Sequence, residues 1–74
     1  MVTTNDLLKE IDKYSEKYDF SFQFWGTGLN NVFIYKKGIE IHDIGQEETS
    51  RNIIIAALQY IYQINNVPES ERIC

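Results

Sequence analysis

From Asn52 to Pro68 the chain carries no charged residue, although charged side chains are dense elsewhere. The stretch NIIIAALQYIYQINNV reads as a helix. At about 100° per residue, Ile53, Ile64, Ala57, Ile61, Ile54, Leu58, Tyr62 and Ile55 sweep an arc of roughly 200°, about twice what a helix facing one core needs. Only Asn52, Gln59, Gln63 and Asn66 align as a polar strip. Such a helix needs cover on more than one side. In a chain of 74 residues the expected second cover is another chain, either a partner protein or a second copy packed about a twofold axis through Tyr62, Ile55 and Tyr60.

Size leaves room for one domain and a small core, since a chain this short buries only about 60% of its unfolded surface. Ten aromatic residues answer part of that shortage, because large rings bury much area per residue. Cys74 is the only cysteine and His42 the only histidine, which excludes a disulfide scaffold and points to a reducing compartment. The net charge of −4 disfavours direct nucleic-acid binding, where Lys and Arg must neutralise phosphates, and favours encounter with a basic protein surface. The opening MVTTNDLLKE is too polar for a signal peptide. Polar interruptions from Asn52 to Asn66 exclude a membrane span, and the cytoplasm is the expected location.

The pattern predicts the order α-β-β-β-α: an α+β fold with a three-stranded antiparallel sheet and two helices on one face. A capped amphipathic helix over 4–18 carries Leu7, Leu8, Ile11, Tyr14 and Tyr18 on its apolar side. Alternation in FSFQFW predicts a strand from Phe20 to Trp25 with the phenylalanines inward. GTGLNN is a turn. Val32–Tyr35 and Ile39–Ile44 form a hairpin across Lys36-Lys37-Gly38. A two-residue type I′ turn requires positive φ at Lys37, which lysine disfavours, so a three-residue turn with a Gly38 bulge is expected. That register turns Phe33 and Tyr35 to the core, with Tyr35 opposite Ile39. It puts Val32, Ile34, Glu40, His42 and Ile44 outside; the two-residue turn does the reverse. A last helix runs over 50–66, and 69–74 reads as a mobile polar tail.

The inventory for catalysis is thin. Cys74 ends the chain with nothing to position it. His42 has Glu40 as its nearest candidate partner on the same strand face, and a surface histidine on a sheet is the simpler reading. One His and one Cys cannot make a zinc site. Gly26-Thr27-Gly28 is too short for a phosphate loop. No cofactor is expected, and no enzyme. Asp43, Glu47 and Glu48 gather before the last helix. They pair with its dipole or form an acidic patch for Lys and Arg on a partner. Alternation sends Trp25 outward, where it either caps the sheet edge or anchors a partner.

In outline the chain resembles the small acidic anti-CRISPR proteins of Gram-positive phages, which inhibit the RNA-guided type II nuclease. The likeness lies in Asn5-Asp6-Leu7-Leu8-Lys9-Glu10-Ile11, matching that family's N-D-L-aliphatic-basic-E-I opening, and in the order of hairpin, acidic stretch and helix. It implies an acidic face at Asp43, Glu47 and Glu48 aimed at a basic nucleic-acid-binding groove of a host protein. The chain departs from the family in ending at ESERIC, where a further acidic helix is found there, and in its lower charge. The expectation is a non-enzymatic, phage-encoded interaction protein. Its partner-binding residues would be Trp25, Glu40, His42, Asp43, Glu47, Glu48, Ile55 and Tyr62.

Overall fold

The computed structural model describes residues 1–74. Helix α1 (Thr4–Lys13) is followed by strands β1 (Asp19–Gln23), β2 (Asn30–Lys36) and β3 (Ile39–Glu47), helix α2 (Ser50–Ile64) and a single 3-10 turn at Glu69–Glu71. The strands form an antiparallel sheet in the order β1-β2-β3. This is the α+β architecture that the sequence pattern predicts, with the helices on one sheet face.

Local chemistry sets the helix ends. Thr3 caps α1: its hydroxyl accepts from the Asp6 amide while the Asp6 carboxylate accepts from the Thr3 amide, a reciprocal capping box. The helix stops at Lys13, short of the expected residue 18. The Ser15 hydroxyl donates to the Asp12 carbonyl at 2.7 Å, and the backbone tightens into i→i+3 turns from Tyr14 onward. Those turns still deliver Tyr18 to the core. Thr49 caps α2 by accepting from the Asn52 amide. The far end closes with Asn66 at φ 53°, Asn66 N–H on the Gln63 carbonyl and Val67 N–H on the Tyr62 carbonyl. That is a Schellman closure with asparagine in the left-handed position.

The hairpin corrects the expected register. Lys36 pairs with Ile39 across a two-residue turn, with Lys37 at φ 54° and Gly38 at φ 78°. The type I′ turn therefore forms despite the lysine. Val32 and Ile34, expected outside, lie fully buried beneath α2, while Phe33 and Tyr35 are on the open face. The layer between sheet and helices already holds the rings of Tyr18, Phe20, Phe22 and Tyr62. Compact β-branched side chains fit beside them, and close packing favours that filling over two more rings. The sheet register then puts Phe20, Phe22, Val32, Ile34, His42 and Ile44 on the helix side.

The wide apolar arc of α2 is spent inside the molecule except at Ile64, which stays exposed. Ile53, Ile54, Ala57, Leu58, Ile61 and Tyr62 are buried, and Ile55 is half-buried against the same core. The sheet covers one flank and α1 the other. Residues 69–74, read from the sequence as a polar tail, complete the cover. Arg72 Nε donates to the Val67 carbonyl at 2.8 Å, its guanidinium lies over the Tyr62 ring, and Ile73 packs on the core. The result is a slab of 34 × 31 × 17 Å, one sheet and one helical layer thick. The opposite sheet face has no covering element.

Candidate functional site

The β1–β2 loop and the β3–α2 loop meet at one end of the slab. Asn30 holds them together. It is buried, and its side-chain amide donates to the Gly26 carbonyl at 2.8 Å and the Glu47 carbonyl at 3.0 Å. Gly28 N–H reaches the Glu48 carbonyl at 3.4 Å, and Leu29 N–H closes a turn on Gly26. Gly26 and Gly28 both have positive φ, so glycine is required for this path.

The clamped loop presents apolar side chains to water. Phe24 is 53% exposed, Trp25 68% and Leu29 61%. Phe24 is the outer member of a stacked column with Phe22 and Phe20, the ring centroids 5.8 and 5.9 Å apart. The Trp25 indole N–H donates to the Gln23 side chain at 3.2 Å. Glu47 and Glu48 lie beside these groups on the other loop; Glu48 Oε1 approaches to 3.8 Å of where a Cβ on Gly28 would stand. The structure thus brings the loop that carries Trp25 against the backbone of Glu47 and Glu48, with Phe24 turned toward the Phe22 side of the sheet and Trp25 toward the Gln23 side. Phe24, Leu29 and the Asn30 clamp were not singled out from the sequence. Strand alternation hid Phe24, which lies past the end of β1, whereas Leu29 within a Gly- and Asn-rich turn was a usable signal.

The remaining candidates are dispersed. Asp43 is exposed on β3 opposite Phe33, on the open sheet face. Glu40 and His42, expected on one face, are separated by a bulge at Ile41: Glu40 pairs with Tyr35 and His42 with Ile34. His42 instead stacks on Tyr60 of α2, with centroids 4.0 Å apart and planes within 7°. Ile55 faces the core. Tyr62 has no exposed surface and cannot meet a partner as the fold stands. Its hydroxyl donates to the Glu10 carboxylate at 2.5 Å, and Lys13 reaches the same carboxylate at 2.8 Å. Burial works against ionisation of Glu10, but these two hydrogen bonds override it and hold its pKa below the ordinary carboxylate value. Burial, reinforced by Glu10, pushes the Tyr62 hydroxyl well above the usual phenol range. Burial also raises the Cys74 thiol, which makes it a weaker nucleophile.

No group of three or more His, Cys, Asp or Glu side chains is arranged to hold a metal ion. No helix is long and apolar enough to cross a membrane. Comparison with known proteins finds no matching family model, no similar curated protein and no similar solved structure.

Proposed function

We propose that this chain is a non-enzymatic protein-binding module, encoded by a phage or mobile element, that inhibits a host nucleic-acid-handling protein. One observation carries the reading: Phe24, Trp25 and Leu29 are held exposed on a hydrogen-bonded loop beside Glu47 and Glu48. Large exposed apolar groups on a loop are costly to solubility unless they are used. A pre-ordered loop loses little entropy on docking, and tryptophan is enriched among the residues that dominate binding energy. Four carboxylates, Glu40, Asp43, Glu47 and Glu48, lie between Ile39 and Ser50 with no Lys or Arg among them. They suit a basic surface such as a nucleic-acid groove on the host protein. This is also the kind of target that the anti-CRISPR likeness suggests.

The test uses the full chain against the RNA-guided type II nuclease, with binding and DNA cleavage both read. The wild type is expected to bind and slow cleavage. Trp25→Ala is expected to weaken binding by roughly 30-fold or more, the size of a hot-spot loss. It should leave thermal stability unchanged, since the ring is mostly in solvent. Neither binding nor inhibition at micromolar chain would reject this nuclease as the target. Capture of another partner that Trp25→Ala leaves intact would reject the loop as the anchor.

A further inference from the structure

The uncovered face of the sheet has an ordered chemistry. Its register sets side chains in cross-strand rows: Asp19, Tyr35 and Glu40 in one, Ser21, Phe33 and Asp43 in the next, and Gln23 with Asn31 beyond. Each of the first two rows has a ring at its centre and at least one carboxylate beside it, and these rows hold no Lys or Arg. Next to the second row the β3 backbone bulges at Gln46, which has φ 63°. There Asn31, Phe33, Asp43, Ile44, Gly45 and Gln46 line a shallow concavity of about 320 Å³. The Asn31 side-chain oxygen is shielded from solvent and has no hydrogen-bond donor. That oxygen lies behind the lining, so the Phe33 ring and the Asp43 carboxylate are the groups the concavity offers to a docking side chain.

We propose that this concavity receives an arginine side chain of the partner protein. The guanidinium lies on the Phe33 ring and pairs with the Asp43 carboxylate across the strand pair. Arginine fits better than lysine for three reasons. It is planar and stacks on a ring, it is more weakly hydrated, and its donors point in several directions at once. The inference rests on the protein-binding reading and extends its surface. Gln23, the row partner of Asn31, is the residue that holds the Trp25 indole, so the concavity and the exposed loop adjoin.

The experiment is a titration of the isotope-labelled full chain, without any partner, with a blocked Gly-Arg-Gly peptide followed by amide NMR. Shifts confined to Asn31, Phe33, Asp43 and Gly45 are expected. The citrulline peptide, which keeps the shape and loses the charge, should give none. Asp43→Asn should weaken the peptide about fivefold, the range of an exposed ion pair joined to a ring contact. Asp12→Asn on α1, the same charge change elsewhere, should leave it unaltered. No selective shift up to several hundred millimolar peptide would overturn the assignment, and so would equal shifts around Asp6, Asp12 and Glu69. Because no partner is present, failure of the arginine site and failure of partner binding are read in separate experiments.

Discussion

Glu10 stands on the buried side of α1, where an aliphatic residue would complete the stripe of Leu7 and Ile11. The Tyr62 hydroxyl and Lys13 make it tolerable there, because a buried charge is acceptable only when its lone pairs are occupied. The pair also ties α1 to the last turn of α2, and Ile73 N–H adds a long contact of 3.4 Å to the same hydroxyl. Its pH behaviour follows from the two shifts. Glu10 titrates below its ordinary value of 4.5 when folded, so its contribution is complete above that pH and is lost as the pH falls through the folded value. Tyr62 is raised above its ordinary value of 10.0, so the stability it adds is complete below pH 10 and declines as the pH rises past it. Tyr62→Phe is therefore expected to cost about 1–3 kcal/mol at neutral pH, the penalty for leaving a buried acceptor short of a donor. In urea unfolding, the gap between the two proteins should be widest at mid-range pH. It should narrow at both extremes; a gap independent of pH would show that the loss is one of packing.

The β2–β3 hairpin shows what local propensity can and cannot decide. The two strands, their glycine turn and the two alternative registers are all visible in VFIYKKGIEI. The choice between them is not, because the turn and the core disagree. Lys37 resists a left-handed φ by an amount on the order of 1 kcal/mol. The interior, once α2 and the β1 rings are in place, accepts Val32 and Ile34 at zero exposure. Packing over several residues outweighs one strained residue, but it needs partners remote in sequence. The same cause hid the role of 69–74: a tail with a single aliphatic residue, Ile73, carries no visible sign that it will shelter Tyr62. It also hid the bulge at Ile41, which parts Glu40 from His42. Alternation in β1 as far as Phe22, a threonine cap at residue 3 or 4, the amphipathic α1 and the approximate extent of α2 were legible because each depends on neighbours within a few positions. If Lys37 is strained as its φ implies, Lys37→Asn should stabilise the fold by about 0.5–1 kcal/mol, since asparagine accepts the first position of a type I′ turn. Melting should then rise by several degrees, as about 1 kcal/mol shifts a domain of this size by roughly 4–8 °C. A fall in melting temperature would mean that the lysine stem makes a contact worth more than the strain.

At the scale of the molecule, a breadth of 34 Å against a thickness of 17 Å leaves one broad sheet face bare. Of the apolar surplus that the sequence placed on α2 only Ile64 stays exposed there. The rest of the exposed apolar surface is divided between the Phe24–Leu29 loop and Ile39 and Ile41 by the hairpin, with Leu8 on α1, and the carboxylates are also asymmetric. Asp43, Glu47 and Glu48 sit on the second half of β3 and the loop after it, whereas Lys17, Lys36 and Lys37 cluster at the opposite end by Tyr18, where Glu16, Asp19 and Glu40 are their acidic neighbours. A charge distribution of this kind steers approach, while well-packed anchors govern residence. Partner binding should therefore separate kinetically. Glu47→Gln with Glu48→Gln is expected to lower the association rate a few-fold and flatten its dependence on salt, with dissociation little changed, as for rim charges in general. Trp25→Ala should act mainly on dissociation. Stopped-flow or surface-based kinetics at several ionic strengths distinguish the two. The opposite result, with the acids controlling dissociation at all salt concentrations, would place Glu47 and Glu48 inside the desolvated contact and move the centre of the interface from the Trp25 loop to the start of α2.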